Sequence, residues 1–355
     1  MLTEKFAFST VRGICVAAAV ALTGFTVASP SLADTKVLQT TSIFGENDFS
    51  SDVLRRWAEL VAERTEGRYD FRYHWAGSLV GNKTLDGMSD GIVDVAVQFT
   101  PYVSGDIIDL GVLDIPFSFP LDAEGLAAFH REVRPFVTEI YNDYGSQVVS
   151  ATPIILANPL TCSDRFLSDE EKWSGAKVRA AGRWHSETIR AWGGSPLVIS
   201  PGELYSALDR GTADCTLMVY NGVNSMKLYE VAPKITRIDH SVAFGTINVS
   251  NTAWEQIPEE DRKIMLEAGD EIVTWAAEET NRRLEGIIDE MAAAGAEYCT
   301  PTPEEFERLV AATDGVIDTI RDQVTDNGAA IIEVVDRYRS SVITQPTVGP
   351  NNACP

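Results

Sequence analysis

The segment KVLQTTS (residues 36–42) begins the stretch of sequence that decides the fold. Its residues favour a strand, and the apolar side chains after it, such as Leu54, Trp57 and Val61, recur at the steps of a helix. Strand and helix patterns continue to alternate as far as residue 99. The predicted elements follow the order βαβαβ, at residues 36–42, 50–65, 69–75, 84–89 and 93–99. This order is typical of an α/β domain with a largely parallel sheet.

A similar unit lies later in the chain, with a predicted helix at residues 202–208 and a strand at 213–219. The two units share the patterns GIVD (91–94) and GTAD (211–214), in which the glycine allows a left-handed helix cap. Any α/β protein can contain such turns. Because open α/β sheets bind ligands at the ends of their strands, the repeated pattern favours two similar lobes that share a cleft.

The longest predicted helix covers residues 259–294. Pro258 and three acidic residues mark its beginning, and Gly295 marks its end. At about 1.5 Å per residue the helix is about 50 Å long, which exceeds the usual width of one domain. We therefore expect it to run across both lobes.

Residues 1–33 have the three-part layout of a secretory signal peptide. Lys5 and Arg12 give a basic start, residues 14–28 are a short apolar run, and SLA (31–33) ends in small residues. An N-terminal anchor helix is the alternative interpretation. No later segment has the apolar length of a membrane span. We therefore expect the leader to be cleaved and the remaining chain to be exported to the periplasm.

The charge and motif content exclude several classes of function. The chain has 29 Lys and Arg against 52 Asp and Glu, a formal net charge of −23, whereas nucleic-acid binding requires a basic surface. The acidity would also repel anions, so an anion site must depend on a local cation. There is no GxSxG, phosphate loop or GxGxxG, and the four histidines lack metal-ligand spacing. We expect no enzyme, no cofactor and no metal.

Four cysteines follow the predicted leader, namely Cys162, Cys215, Cys299 and Cys354. In an oxidising compartment an even number of cysteines indicates disulfides, and the sequence leaves three pairings open. A zinc site is the competing interpretation, but the chain has no CxxC and no HxxxH. Two disulfides are therefore expected.

The stretch GAKVRAAGRW (175–184) is predicted to form a short strand that ends in a turn of small residues, before a helix at 185–192. Arg179 lies at the end of this strand, where it would point into the space between the lobes. A guanidinium can bind a carboxylate through two parallel hydrogen bonds. A surface arginine paired with one of the many acidic residues is the alternative.

Several stretches, in this order, resemble the DctP-type solute-binding proteins of tripartite ATP-independent periplasmic (TRAP) transporters. The resemblance covers nearly all of the chain after the leader, and GAKVR is its most specific motif. The stretches are WAELV (57–61), TEGR (65–68), AGSL (76–79), GIVD (91–94), LDIPF (113–117), GAKVR (175–179), GSP (194–196), ELYSAL (203–208), GTAD (211–214), VSN (249–251) and IPEE (257–260).

The resemblance implies an α/β, two-lobed periplasmic binding protein of the Venus-flytrap type, with hinge strands and a long helix spanning both lobes. It predicts a first lobe from residues 34–156 and 245–284, a second from 157–244 and 285–340, and a C-terminal tail at 341–355. The implied function is a monomeric receptor that captures a small organic carboxylate and delivers it to the small and large membrane subunits of a sodium-driven TRAP permease. A periplasmic sensor that feeds a signalling kinase is the alternative.

The resemblance also implies a ligand site, because Arg179 falls on the family's carboxylate-binding arginine. Met218 stands where many members have asparagine, and Pro159 stands where sialic-acid binders have a second arginine. The expected wall is therefore apolar and aromatic, which suits a hydrophobic or aromatic monocarboxylate, such as a keto acid, better than a sugar acid. Phe99 and Trp184 could equally be core residues. The expected ligand-binding residues are Arg179, Arg183, Phe44, Asn82, Phe99, Tyr102, Asn158, Trp184 and Met218.

The implied lobes suggest a disulfide pairing. Cys162 and Cys215 both border cleft-forming strands of the second lobe, and Cys299 and Cys354 both fall late in the chain. We therefore predict the pairs 162–215 and 299–354.

Overall fold

The computed structural model describes residues 35–120, 122–153, 157–241, 244–342 and 352–355. The predicted signal peptide at residues 1–33 and most of the predicted tail lie outside these residues. None of the described helices combines the length and the apolar character that crossing a lipid bilayer requires.

The described part of the chain contains both strands and helices, which alternate over most of its length. The strands are β1 (Lys36–Thr41), β2 (Tyr69–His74), β3 (Val95–Phe99), β4 (Ser146–Ala151), β5 (Leu160–Cys162), β6 (Lys177–Ala180), β7 (Ser195–Val198), β8 (Cys215–Leu217), β9 (Lys234–Thr236), β10 (Gly245–Ser250) and β11 (Glu297–Cys299). The helices are α1 (Phe49–Arg64), α2 (Thr84–Ser89), α3 (Thr100–Val103), α4 (Ala123–Asp143), α5 (Glu170–Trp173), α6 (Arg183–Ala191), α7 (Pro201–Asp209), α8 (Tyr220–Ser225), α9 (Asn251–Glu255), α10 (Glu259–Ala293), α11 (Pro303–Ala312), α12 (Asp314–Arg321) and α13 (Asp326–Val342), with 3₁₀ turns at Ile108–Asp114 and Leu228–Glu230.

The strands form two sheets, so the structure confirms the predicted two-lobed α/β fold. The first sheet has the order β2-β1-β3-β10-β4, in which β1 is parallel to β2 and β3 and only β10 runs antiparallel to its neighbours. The second has the order β11-β9-β5-β8-β6-β7, with β6 parallel to β7 and β8. The ends of β3, β6 and β8 supply many of the residues around the cavity described below.

The GxxD pattern that the two lobes share has the same structural role in each. The glycines adopt the left-handed conformation, with φ of +71° at Gly91 and +67° at Gly211. Each aspartate then accepts a hydrogen bond from the backbone of the neighbouring strand, Asp94 from β1 at 2.7 Å and Asp214 from β6 at 2.9 Å. The pattern therefore ends a helix and aligns the next strand in both lobes.

The 35-residue helix α10 contacts both lobes, as its length predicts. Near its beginning, the indole N–H of Trp57 in α1 donates to the carbonyl of Met265 at 3.1 Å. Near its end, Asn224 of α8 donates to Glu290 at 3.0 Å. Between these points Gly269 lies against β4, where a Cβ atom would be 1.9 Å from the carbonyl oxygen of Val149. A glycine is required there because any side chain would separate the helix from the sheet.

The chain also crosses between the sheets through two segments that hydrogen-bond to each other. The backbone N–H of Asn158 donates to Ser241 at 2.9 Å, and that of His240 donates to Asn158 at 3.2 Å. Helix α13 buries Val334 and Val335 in a core cluster with Phe129 of α4. The predicted boundaries assign α13 and α4 to different lobes, and those boundaries stay a prediction.

Both predicted disulfides are present. Cys162 and Cys215 face each other in the antiparallel pair β5–β8 and are bonded. Cys299, at the end of β11, is bonded to Cys354, and Thr300 forms a bridge with Ala353. The first bond joins two strands of the second sheet, and the second attaches the end of the chain to that sheet.

Candidate ligand-binding site

A cavity lies where elements of the first sheet meet those of the second. Six of the nine residues expected from the sequence line it, namely Phe44, Phe99, Tyr102, Asn158, Arg179 and Met218. The other lining residues are Pro101, Ala181, His185, Leu217 and Val219.

Arg179, on β6, is 1 % exposed and is held by three hydrogen bonds. Its Nε donates to the carbonyl of Ile199 at 2.9 Å, Nη1 to the carbonyl of Leu217 at 3.1 Å, and Nη2 to the hydroxyl of Tyr102 at 3.1 Å. A guanidinium has five N–H donors. One N–H on each terminal nitrogen therefore remains, which is the donor set for a bidentate carboxylate.

The partners of Arg179 do not neutralise its charge. They are two carbonyls and a hydroxyl, and no described carboxylate lies within 4.0 Å of the guanidinium. Burying an uncompensated cation is costly, and an anion in the cavity would offset that cost. The lining has no second Lys or Arg among the described residues.

Three aromatic side chains, Phe44, Phe99 and Tyr102, also line the cavity. Phe99 ends β3, and its ring packs edge-to-face on Phe44 at 5.0 Å and on Tyr102 at 6.3 Å. Pro101 is the second residue of α3, the short helix that carries Tyr102. Phe99 is only 3 % exposed and belongs to the apolar core as well as to the lining, and its role in ligand binding stays a prediction.

The second lobe adds apolar and polar groups. Leu217, Met218 and Val219 follow one another at the end of β8 and line the cavity. Asn158, in a crossing segment, donates from Nδ2 to the hydroxyl of Ser241 at 2.9 Å. Its Oδ1 is buried and has no partner among the described residues.

His185 is the polar lining residue absent from the expected set. It lies in the first turn of α6, is 3 % exposed, and neither ring nitrogen has a described partner. Burial lowers the pKa of His185 well below its usual value, and His240 and the positive charge of Arg179 lower it further. The ring is therefore neutral. Its position beside RW in the sequence was the available signal, but the sequence could not show which side of the helix faces the cavity.

Three expected residues do not line the cavity. Trp184 is 1 % exposed and packs in the core over Gly111, where a Cβ would be 2.3 Å from the indole nitrogen. Arg183 is exposed, with its guanidinium 4.4 Å from the Trp184 ring and Nη2 donating to Gln323 at 2.9 Å. Asn82 is an exposed residue in the turn before α2. The described residues contain no cluster of three or more His, Cys, Asp or Glu that could hold a metal ion.

A two-lobed α/β fold with a cavity between its sheets is an architecture in which small molecules bind. The profile of the DctP family, bacterial extracellular solute-binding protein family 7, matches residues 41–323. The chain belongs to this family, the solute-binding proteins of TRAP transporters.

Characterised relatives align with most of the chain. A solute-binding protein of Sulfitobacter sp. (strain NAS-14.1) is 26% identical over 82% of this chain and 86% of its own length. The C4-dicarboxylate-binding periplasmic protein DctP of Rhodobacter capsulatus is 25% identical over 86% of this chain and 92% of its own. Among solved structures, a TRAP solute-binding protein of Ralstonia eutropha with bound (S)-2-acetolactate has a TM-score of 0.77 at 23% identity, covering 85% of this chain and 99% of that one.

Proposed function

We propose that this chain is a periplasmic receptor that captures a small organic monocarboxylate and delivers it to a TRAP permease. The observation that carries the proposal is Arg179, a buried cation that has no described carboxylate partner and retains one N–H on each terminal nitrogen. Its role is to bind the carboxylate, not to catalyse a reaction.

The remaining lining supports a monocarboxylate over a dicarboxylate or a sugar acid. A second carboxylate would need a second cation, and the described lining residues supply none. Phe44, Phe99 and Met218 offer apolar surface where a sugar acid would need hydrogen-bonding groups. The solute is therefore a carboxylate with a small apolar or aromatic body, a class that includes keto acids.

Family membership supports the partners and the location. TRAP receptors work with a small and a large membrane subunit, so we propose the same two partners and sodium-driven transport for this chain. Cleavage of the leader after Ala33 would place the mature protein in the periplasm. Cell fractionation with N-terminal sequencing tests this, and the expected first residue of the periplasmic protein is Asp34.

The ligand class is tested by the shift in melting temperature across a panel of monocarboxylates, dicarboxylates and sugar acids. A ligand at about 100 times its Kd stabilises the folded state by about 2.7 kcal/mol, which is a measurable shift. We expect apolar monocarboxylates to give the largest shifts. A panel in which only dicarboxylates or sugar acids raise the melting temperature would contradict the proposal.

A further inference from the structure

Two polar side chains at the cavity have hydrogen-bonding atoms that no described residue satisfies. His185 is 3 % exposed and both its ring nitrogens lack partners, and Asn158 is 1 % exposed and its Oδ1 lacks one. Both residues line the cavity together with Arg179. Buried polar groups in proteins are nearly always paired, and those that are not call for an explanation.

The surroundings of His185 define what it can bind. Its ring packs edge-to-face on His240 at 5.4 Å, and His240 is itself occupied by Asn158 and Ser241. Burial and the nearby positive charge of Arg179 keep the imidazole neutral by lowering its pKa. A neutral imidazole has one N–H donor and one acceptor nitrogen. It is therefore suited to an uncharged polar group, while Arg179 binds the carboxylate.

The unpaired atom of Asn158 adds a second requirement. Nδ2 already donates to Ser241, and the free Oδ1 is a carbonyl oxygen, which only accepts hydrogen bonds. One group can satisfy both side chains if it donates to Asn158 and accepts from the N–H of His185. A hydroxyl does both, whereas a carbonyl oxygen only accepts.

We propose that His185 and Asn158 bind a hydroxyl on the carbon next to the ligand carboxylate, so that the solute is a 2-hydroxy acid. This inference rests on the proposed function, in which Arg179 holds the carboxylate. One solute can contact all three side chains, because His185, Asn158 and Arg179 line the same cavity. His185 and Asn158 are then the residues that determine specificity within the carboxylates.

The test is calorimetric titration with two matched ligand series, one short and one branched. The short series is lactate, pyruvate and propionate, and the branched series is 2-hydroxy-4-methylpentanoate, 4-methyl-2-oxopentanoate and 4-methylpentanoate. In the series that fits the cavity, we expect the 2-hydroxy acid to bind at least about ten-fold more tightly than the unsubstituted acid. The 2-oxo acid is expected to lie between them.

Substitutions of His185 test whether its side chain causes the preference for 2-hydroxy acids. In His185→Leu we expect the 2-hydroxy preference to shrink to about two-fold or less, with the affinity for the unsubstituted acid retained. His185→Gln keeps a donor and an acceptor and is expected to recover part of the preference. His74→Leu is the matched control, because His74 contacts Gln39 on the first sheet and does not line the cavity. If neither His185 variant folds, the two ligand series measured on the unmodified protein still show whether it prefers 2-hydroxy acids.

The outcomes separate this inference from the proposed function. Tight binding of monocarboxylates with no difference between 2-hydroxy and unsubstituted acids would overturn the inference and leave the receptor proposal standing. A preference that persists in His185→Leu would overturn the role of His185. A 2-oxo acid that binds as tightly as the 2-hydroxy acid would overturn the role of Asn158. Absence of binding to any carboxylate would overturn both proposals.

Discussion

The hydroxyl of Tyr102 accepts a hydrogen bond at 3.1 Å from Nη2 of Arg179, and the guanidinium carbon lies 5.8 Å from the centre of the Tyr102 ring. Tyr102 follows β3 of the first sheet, whereas Arg179 belongs to β6 of the second. The residue that we propose to bind the carboxylate therefore also joins the two sheets. We therefore expect Arg179 to take part both in closure around the solute and in recognition of its charge.

Replacing Arg179 with lysine should weaken carboxylate binding by at least about 2 kcal/mol. Lysine keeps the positive charge but cannot hold Ile199, Leu217 and Tyr102 while presenting two parallel donors. Isothermal titration of the best carboxylate against both proteins measures the change. Arg183→Lys is the matched control, because Arg183 is exposed and outside the lining. Unchanged affinity in Arg179→Lys would remove the basis of the proposed function.

Gly182 and Pro101 lie in direct contact at the edge of the cavity. A Cβ at Gly182 would be 2.0 Å from the carbonyl oxygen of Pro101, which is far too close. Gly182→Ala should therefore hold β6 away from α3 and reduce affinity about ten-fold or more, because the closed form is disfavoured.

The change is measured by titration, and small-angle scattering reports whether the ligand still compacts the protein. Gly202→Ala in α7 is the control, since no atom lies within 4 Å of the Cβ position there. Equal affinities for the two variants would show that the contact between Gly182 and Pro101 does not limit closure.

Asp114 predicts a specific pH dependence of stability. Its carboxyl is buried and accepts hydrogen bonds from Thr100, at 2.8 Å, and from Ser104. Burial raises the pKa of Asp114 to about 7, although these hydrogen bonds lower it. The folded protein therefore binds this proton more tightly than the unfolded chain. The resulting stabilisation is complete below about pH 4 and is lost as the pH rises through 7.

Asp114→Asn removes this titration, keeps an acceptor oxygen for one of the two hydroxyls and offers an amide N–H to the other. Between pH 5 and 8 we expect the variant to gain about 2–3 kcal/mol in unfolding free energy relative to the unmodified protein. Urea denaturation of both proteins across this pH range gives the difference between their unfolding free energies. The contributions of the other titrating groups cancel in this difference, because both proteins contain them. Parallel curves would show that Asp114 does not take up a proton in the folded state.

The two disulfides should stabilise the protein to a similar extent but differ in their effect on binding. Their sequence separations are 53 and 55 residues, so loop-closure entropy predicts about 4 kcal/mol for each. Cys162–Cys215 joins β5 to β8, two residues before Leu217 of the cavity, and neither Cys299 nor Cys354 lines the cavity.

The paired serine substitutions, measured by urea denaturation and by titration, test this difference. We expect both double variants to lose stability and only Cys162→Ser/Cys215→Ser to lose affinity. Four alkylatable thiols in the unreduced protein, measured by mass spectrometry, would show that neither bond forms.

Local pattern was sufficient for much of the fold. Helix α2 has the predicted bounds, and α10 ends one residue earlier than predicted, because apolar spacing and terminal Pro and Gly act within a few residues. The ends of other strands and helices differ from the predicted ones. The strand expected at residues 93–99 begins at Val95, and the helix expected from His185 begins at Arg183.

Only part of the candidate site could be predicted, because local sequence patterns do not show which side chains face the cavity. Arg179 was identified because its motif surrounds it in the sequence. Trp184 and His185 are adjacent, yet Trp184 packs on Gly111 in the core and His185 lines the cavity. Which of two neighbours faces the cavity depends on how α6 packs on segments distant in the chain, and no local pattern contains that information.

By itself, the sequence determined the order of strands and helices, the glycine caps of both lobes and the position of Arg179 in a motif rich in small residues. These follow from interactions between residues close together in the chain. The tertiary structure decided that Arg179 meets Tyr102, that its charge lacks a described carboxylate, and that His185 and Asn158 share its cavity. Those relationships arise from packing between the two sheets, where residues far apart in sequence come into contact.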